Sequence, residues 1–189
     1  MSGGPGPREI EVKLPAADLE EVRRRLRERG GTLERARHSE SNDLYDDPGG
    51  RLLAAGCALR LRRTEGESRL TFKGPARFEQ GIRSREERET TVGDAGEAAA
   101  ILARLGLTRR FRYEKRREEW RLLECAVALD ETPIGDFVEI EGDPAAIRKA
   151  LAALELDFAS ALPYSYAHLY ALKRKENPAL PSDMVFESR

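Results

Sequence analysis

The sequence predicts an α+β fold in which a closed, mainly antiparallel β-barrel carries its helices on the outside. About eight stretches alternate charged and apolar residues, as in Glu9-Ile10-Glu11-Val12-Lys13, and side chains two apart on a strand share one face. Hairpin-type turns link several of these stretches. Amphipathic helices can cover the apolar faces only from outside. Closing the sheet turns the charged faces inward and removes its edges.

The alternating stretches define the predicted strands. These strands cover residues 8–14, 33–46, 58–62, 69–73, 82–92, 108–120, 122–130 and 137–141. Turn-forming residues separate them: Asp47-Pro48-Gly49-Gly50 follows the second strand, and Glu65-Gly66-Glu67-Ser68 links the third to the fourth. Hairpin links between neighbours indicate antiparallel pairing.

Four helices are predicted between and after these strands. Asp18, Asp94 and Asp143 each precede a segment with helical apolar spacing, which is the position of an N-cap. The first two helices end at glycines. A last helix is predicted over 163–175.

The chain divides into three parts. Residues 1–7 are rich in glycine and proline and are predicted to be a flexible leader, residues 8–175 form one domain, and residues 176–189 form a polar tail that we expect to be mobile. The domain also contains a weak internal repeat. A strand, a helix closed by glycine and a second strand recur from Arg8 and from Glu86, so two copies could pair about a pseudo-twofold axis.

Composition narrows the class of function. The 33 basic and 34 acidic side chains leave a net charge of −1, which argues against a general polyanion binder. The basic run 109–117 contains two aromatics, but it lies on a predicted strand and is followed by Glu118 and Glu119, so nucleic-acid binding is disfavoured.

Apolar runs, cysteines and histidines indicate the cellular compartment and the kind of metal site to expect. No apolar run reaches the ~18 residues of a membrane span. Cys57 and Cys125 form no metal-binding spacing and are expected to be reduced thiols. With only two histidines, a zinc site is disfavoured. We therefore expect a cytoplasmic protein without membrane contact. The oligomeric state, a homodimer among the options, stays open.

The charged strand faces supply the candidate site. The cations are Lys13, Arg60, Arg62, Lys73, Arg85, Lys115 and Arg117. The carboxylates are Glu9, Glu11, Glu87, Glu89, Asp130, Glu139 and Glu141. So many pairs exceed what stability requires, because buried ion pairs barely offset their desolvation. Arginine forks suit phosphate oxygens, and clustered carboxylates suit Mg²⁺ or Mn²⁺. A polyphosphate ligand with a divalent metal fits both, and a solvated sheet face with surface ion pairs is the competing interpretation.

These residues resemble a known family. Glu9-Ile10-Glu11-Val12-Lys13 is similar to the ExExK signature of the CYTH superfamily, the triphosphate tunnel metalloenzymes. The resemblance spans residues 8–172 and is strongest to the branch of class IV adenylate cyclases and thiamine triphosphatases. Its other motifs are Tyr45-Asp46, Leu59-Arg60-Leu61-Arg62, Leu70-Thr71-Phe72-Lys73-Gly74-Pro75, Arg85-Glu86-Glu87, Lys115-Arg116-Arg117, Leu129-Asp130, Gly135-Asp136-Phe137-Val138-Glu139-Ile140-Glu141 and Ser165-Tyr166.

The resemblance implies an eight-stranded antiparallel tunnel for a triphosphate and a divalent metal, Mg²⁺ or Mn²⁺. It assigns Glu9, Glu11, Asp130, Glu139 and Glu141 to the metal. It assigns Lys13, Arg60, Arg62, Lys73, Arg85, Lys115 and Arg117 to the phosphates. Glu9, Glu11, Lys13 and Glu139 are the residues expected to act in catalysis. Glu87 and Glu89 are supporting residues.

The resemblance leaves the reaction open. We favour a metal-dependent triphosphatase acting on ATP, thiamine triphosphate or tripolyphosphate, because hydrolysis requires neither a base pocket nor a ribose pocket. The alternative enzyme is a class IV adenylate cyclase that forms cyclic AMP and pyrophosphate. A polyphosphate-binding or nucleotide-binding module without turnover is the alternative from another class.

Overall fold

A computed structural model describes residues 8–187 and confirms the predicted α+β barrel. The predicted leader, residues 1–7, lies outside the described residues. The strands are β1 (Arg8–Ala16), β2 (Thr32–Asp46), β3 (Ala58–Thr64), β4 (Glu67–Lys73), β5 (Arg77–Glu79), β6 (Ile82–Val92), β7 (Thr108–Leu122), β8 (Cys125–Thr132) and β9 (Gly135–Glu141). The helices are α1 (Leu19–Glu28), α2 (Arg51–Ala54), α3 (Ala95–Arg104), α4 (Pro144–Ala153) and α5 (Tyr166–Glu176), with a 3₁₀ turn at Phe158–Ser160.

Eight strands close into an antiparallel barrel. The order around the ring is β1-β9-β8-β7-β2-β3-β4-β6, and β1 pairs with β6 to complete it. The short strand β5 pairs with β6 outside this ring and was not predicted. Closure leaves every barrel strand with two neighbours, so one face of each strand must point to the barrel interior.

The topology contains the strand–helix–strand order of the predicted internal repeat, with the copies 76 positions apart rather than the 78 that separate Arg8 from Glu86. β1, α1 and β2 have counterparts in β6, α3 and β7, and the N-caps Asp18 and Asp94 are 76 positions apart. Both helices have 10 residues, and both following strands have 15. β1 pairs with its counterpart β6, and β2 pairs with β7. Antiparallel pairing of equivalent strands is the arrangement that a pseudo-twofold axis produces.

The largest apolar core lies outside the barrel, between the strands and α1 and α4. Asp18 accepts hydrogen bonds from the backbone N–H groups of Glu20 and Glu21, which satisfies free donors at the start of α1. Leu26 of α1 and Val12 of β1 are buried in this core. Each such side chain contributes roughly 1.5–3 kcal/mol when fully buried. The outward apolar face of β1 therefore holds its charged face toward the interior.

The C-terminal tail differs from its prediction as a mobile segment. Its described part packs along β7, where Met184 is fully buried. The Met184 amide donates to the Arg112 carbonyl at 2.9 Å, and its carbonyl accepts from the Glu114 amide at 2.8 Å. The Tyr170 hydroxyl of α5 donates to the Pro181 carbonyl at 2.9 Å. Buried apolar surface and backbone pairing fix this segment, despite its polar composition.

Candidate functional site

The barrel interior is a cavity of about 650 Å³, and residues of all eight ring strands line it. Its lining contains all seven cations predicted to bind phosphate, together with Arg8 and Arg83. The acidic lining residues are Glu9, Glu11, Glu34, Glu87, Glu89, Glu119, Glu139 and Glu141. Ligand sites usually enclose about 300–1,000 Å³, so the cavity has the size of a small-molecule site.

Four of the five predicted metal ligands line this cavity, but Asp130 does not. Asp130 is fully buried behind the lining cations. Arg117 donates to both of its oxygens, at 2.7 and 2.6 Å. Lys115 and the Tyr166 hydroxyl donate to Oδ2 at 3.0 and 2.6 Å. These four residues form what we call the Asp130 network.

The Asp130 network is held in its ionised form. Burial alone would raise the pKa of Asp130, but Arg117 and Lys115 outweigh it and lower the pKa below its ordinary value. Burial and the adjacent Asp130 carboxylate raise the pKa of Tyr166 well above the ordinary value, so its hydroxyl stays a donor. The network therefore fixes the directions of Lys115 and Arg117 at the cavity wall.

Lys13 and Glu139 form the adjoining pair. Their strands are neighbours and the two residues are directly opposed, with Lys13 Nζ 3.1 Å from Glu139 Oε1. Arg117 also contacts Glu139. Lys13 Nζ lies 3.8 Å from the centre of the Tyr166 ring, a cation–π contact. Burial opposes the charge on Glu139, but Lys13 and Arg117 hold its pKa well below the ordinary value.

Glu9 is the centre of a second ion-pair cluster. Lys73 Nζ donates to it at 2.8 Å and Arg85 Nε at 2.7 Å. Lys73 also contacts Glu87 at 2.7 Å. Burial opposes ionisation of Glu9, but Lys73 and Arg85 outweigh it and lower its pKa far below the ordinary value. Burial raises the pKa of Glu87, and the nearby Glu9 charge adds to that effect.

Glu11 and Glu141 are the least neutralised of the predicted metal ligands. They are directly opposed on β1 and β9. Glu11 contacts Arg83 at 3.3 Å and Arg85 at 3.9 Å, and Glu141 has no ion-pair partner among residues 8–187. Partial loss of hydration, followed by the charges of Glu9 and Glu11, raises the pKa of Glu141 to about 7. We call Glu9, Glu11, Glu87 and Glu141 the acidic group.

On the opposite part of the wall, Arg60 and Arg62 project from β3. Arg60 donates to the Thr71 hydroxyl at 3.3 Å and lies 3.6 Å from Glu89. The carboxylate of Glu89 thus supports Arg60 from β6. Arg62 Nε donates to Asn42 Oδ1 at 3.2 Å, and Arg62 Nη1 lies 3.3 Å from Glu40.

Glu40 is a part of the site that the sequence-based prediction missed. It is 2% exposed, and no donor makes a hydrogen bond to either oxygen among the residues that the structure describes. Burial opposes its charge, but Lys115 and His38 lower its pKa well below the ordinary value. Register shifts between β2 and β7 occur on both sides of Arg35. Such bulges break the alternation, so the facing of Glu40 could not be read from it.

Arg83 and Tyr166 were also missing from the predicted site residues. Arg83 shares its strand face with Arg85, so alternation was a sufficient signal for it. Tyr166 was part of a quoted motif, but a tyrosine at a helix start gives no sign that it reaches a carboxylate 36 positions away.

The carboxylates at the cavity differ in how well they suit a divalent metal ion. Between residues 8 and 187, no three acidic, histidine or cysteine side chains form a ready-made metal cluster. The acidic group nevertheless provides hard oxygen donors, and in the described part of the chain Glu141 forms no ion pair, so partial loss of hydration and the nearby carboxylates raise its pKa. Mg²⁺ and Mn²⁺ prefer such carboxylate oxygens. The chemistry of the donor set therefore fits a divalent ion better at the acidic group than at Asp130.

The helices and the basic strand β7 bear on whether the protein binds a membrane or nucleic acid. No helix within the described residues has both the length and the apolar character for crossing a membrane. On the basic strand β7, Lys115 points into the cavity, while Arg112 and Arg116 contact Asp43 and Glu131. The described residues of the basic run 109–117 therefore do not form a continuous basic surface.

The comparison with protein families agrees with this geometry. The family model of the CYTH domain matches residues 7–167, and the chain belongs to the CYTH family. Members of this class generally process triphosphates in a tunnel of this kind. No curated protein gives a significant sequence match.

Several solved structures share the fold. A protein from Vibrio parahaemolyticus, described as a candidate adenylate cyclase, is 21% identical with a TM-score of 0.76, over 88% of this chain and 99% of that one. A protein from Pyrococcus horikoshii is 28% identical with a TM-score of 0.70, over the same shares. A candidate adenylyl cyclase from Hippeastrum, described as having a dominant triphosphatase activity, is 21% identical with a TM-score of 0.65, over 93% and 99%.

Proposed function

We propose that this protein is a divalent-metal-dependent triphosphatase. It binds an organic or inorganic triphosphate in the barrel cavity and hydrolyses it to release orthophosphate. The observation that carries the proposal is the barrel cavity of about 650 Å³, toward which cations and carboxylates from the ring strands converge. A linear, multiply charged ligand matches such a lining, because each of its oxygens can meet a separate charged side chain.

The near balance of charge in the cavity supports a requirement for metal. Nine basic and eight acidic side chains line it, and Glu40 and Asp130 lie behind the lining. A triphosphate adds about four negative charges, which cations already paired with carboxylates cannot neutralise. Uncompensated charge in a partly buried site costs several kcal/mol. A divalent ion on the carboxylates supplies the missing positive charge.

The residues divide into two roles in this proposal. Glu9, Glu11 and Glu141 would hold Mg²⁺ or Mn²⁺. Glu139 and Asp130, which the family resemblance also assigned to the metal, are already paired with lysine and arginine and would orient those cations. When bound, the ion neutralises charge on phosphate oxygens and lowers the pKa of a coordinated water. The predicted phosphate-binding cations hold the chain in line for attack. These cations are Lys13, Arg60, Arg62, Lys73, Arg85, Lys115 and Arg117.

Hydrolysis is favoured over cyclisation by the lining itself. Two aromatic rings face the cavity, those of Tyr113 and Tyr166, and both are buried. The Tyr113 ring packs against the rings of Phe111 and Tyr166, at 6.1 and 6.0 Å between centres, and Lys13 lies over Tyr166. Among the described lining residues neither ring thus offers a free face on which a base could stack. A class IV adenylate cyclase must hold a nucleoside near its α-phosphorus, whereas a triphosphatase needs contacts to phosphates alone.

The test is product analysis with three substrates. ATP, thiamine triphosphate and tripolyphosphate are incubated with Mg²⁺ or Mn²⁺, and phosphorus NMR identifies the products. Orthophosphate release, with turnover of ribose-free tripolyphosphate, is the expected result, and EDTA should abolish it. Cyclic AMP and pyrophosphate from ATP, with tripolyphosphate untouched, would establish the cyclase instead. Tight binding without any product would identify a binding module.

A cytoplasmic location is part of the same proposal. Cys57 and Cys125 are both free thiols, as expected in a reducing compartment. The small-molecule triphosphate is the proposed partner, and the divided charges of β7 support the exclusion of nucleic acid.

A further inference from the structure

Arg83 is a cavity-lining cation that the sequence-based site prediction did not include. It lies on β6 directly opposite Glu11 of β1. Its side chain is 13% exposed and lines the cavity. An arginine that is buried to this extent normally has its donors satisfied, because an unpaired buried donor costs about 1–3 kcal/mol.

The contacts of Arg83 are incomplete. Nη1 donates to Glu11 at 3.3 Å, and Nε is buried with no hydrogen-bond partner among the residues that the structure describes. Arg85, two positions along the same face, shows the contrast, because its Nε donates to Glu9 at 2.7 Å. The ion pair between Arg83 and Glu11 is therefore weak, and the Nε–H donor of Arg83 is buried without an acceptor among residues 8–187.

Glu11 depends on Arg83 for its neutralisation. The only other cation within reach in the described structure is Arg85, at 3.9 Å. The opposed Glu141 adds negative charge rather than removing it. A divalent ion bound to Glu11 would neutralise this carboxylate in place of Arg83, because one carboxylate does not need two cations.

We propose that Arg83 occupies the position of a divalent ion beside Glu11 and moves to a phosphate oxygen of the triphosphate when the ion binds. This inference rests on the proposed metal-dependent function. It makes Arg83 a residue that couples the two ligands: the arginine competes with the metal, and its released fork then binds the substrate. Glu11 is the group for which the metal and Arg83 compete.

The coupling predicts effects of opposite sign for the two ligands. Removing the charge in R83Q eliminates the competitor at Glu11, so Mn²⁺ alone should bind about tenfold more tightly, the usual effect of one neighbouring charge. The same variant loses a phosphate contact. A non-hydrolysable imido analogue of tripolyphosphate should therefore bind about tenfold more weakly at saturating Mn²⁺. A merely structural role would weaken both.

The experiment measures both affinities on the full chain. Free Mn²⁺ is followed by electron paramagnetic resonance without phosphate, and the imido analogue is titrated by calorimetry at saturating Mn²⁺. R83K, which keeps the charge, should stay near the wild type for Mn²⁺. The matched control is R88Q on the outer face of the same strand, where Arg88 is exposed and paired with Glu86. If R83Q does not fold, R83M provides the same neutral test.

The outcomes separate this inference from the proposed function. Unchanged or weaker Mn²⁺ binding by the neutral variant, with normal binding by the wild type, overturns the competition. Tighter Mn²⁺ binding with unchanged affinity for the analogue overturns the move to phosphate. A wild type that binds no Mn²⁺ overturns the metal-dependent function, and this inference with it.

Discussion

Asp130 and Glu141 were predicted to be equivalent metal ligands, yet the barrel gives them opposite surroundings. Asp130 is fully buried, and Lys115, Arg117 and Tyr166 use both of its oxygens. Glu141 is exposed, has no ion-pair partner among residues 8–187 and lies near the charges of Glu9 and Glu11. The pKa of Asp130 is lowered, whereas the pKa of Glu141 is raised to about 7.

The difference shows that residue type and facing do not decide the role of a carboxylate. A carboxylate that already accepts three donors gains little from a metal ion and is costly to disturb. A carboxylate among like charges gains most from a cation, because the ion removes their repulsion. The Asp130 network is therefore suited to fix Lys115 and Arg117, and within the acidic group Glu11 and Glu141 are the carboxylates best suited to receive a divalent ion.

The largest expected effect is on the Asp130 network. D130N keeps the shape of the side chain but removes the charge that balances Lys115 and Arg117. Because breaking a buried ion pair strands its partners, the free energy of unfolding should fall by about 3–5 kcal/mol. Urea denaturation measures this. E28Q is the control, since Glu28 is exposed and paired with Arg24 on α1, and it should cost less than about 1 kcal/mol. Equal losses would contradict the comparison.

The second effect concerns the phosphate-binding wall. R60A removes a fork from the cavity without touching the outer core, so affinity for tripolyphosphate should fall about 10- to 100-fold while the fold persists. Calorimetric titration gives the affinity, and circular dichroism reports the fold. The control is R63A on the opposite face of β3, where Arg63 contacts Asp43. If R60A binds tripolyphosphate like the wild type, β3 does not contribute to the site.

The third effect is on metal affinity and separates the two carboxylates directly. E141Q should weaken Mn²⁺ binding about tenfold, because the acidic group loses one of its charged oxygen donors. D130N, assayed at a temperature where it is folded, should stay within about threefold of the wild type. Paramagnetic resonance of free Mn²⁺ provides both values. The reverse ranking would move the metal to the Asp130 network.

The smallest effect is a pH-dependent gain in stability. The folded-state pKa of Glu141, about 7, lies above its ordinary value of 4.5, so the folded protein holds this proton more tightly. Stability therefore declines as pH rises from 4.5 to 7. E141Q removes the charge responsible, so it should raise the melting temperature at pH 8 in EDTA and leave it unchanged at pH 4. E65Q, at the exposed β3–β4 turn, serves as control and should shift neither value.

Much of the fold was predictable, because local sequence patterns specify its strands and helices. Alternation identified the eight ring strands, and the aspartate caps located α1, α3 and α4. The packing of the described part of the tail was not predicted. Its fixation depends on Met184 reaching a cluster with Tyr113 and Tyr170, and no local pattern around Met184 indicates this contact.

Alternation along a regular strand is enough to identify the charges that face inward. Glu9, Glu11 and Lys13 are the clearest case, since neighbours along a regular strand must point to opposite faces. The bulged strand β2 hid Glu40, because each bulge changes the facing of the residues after it.

The pairing of each carboxylate with its cation follows from the packing of the closed barrel and not from the pattern along the chain. The pairing of Asp130 with Lys115 and Arg117, and the isolation of Glu141 beside Glu11, depend on registers between neighbouring strands. The numbers of positive and negative side chains are the same whatever the register between neighbouring strands. The electrostatic energy of a buried charge, however, changes steeply over a few ångströms. The distinction between a fixed ion pair and a free carboxylate therefore arises only when the barrel closes.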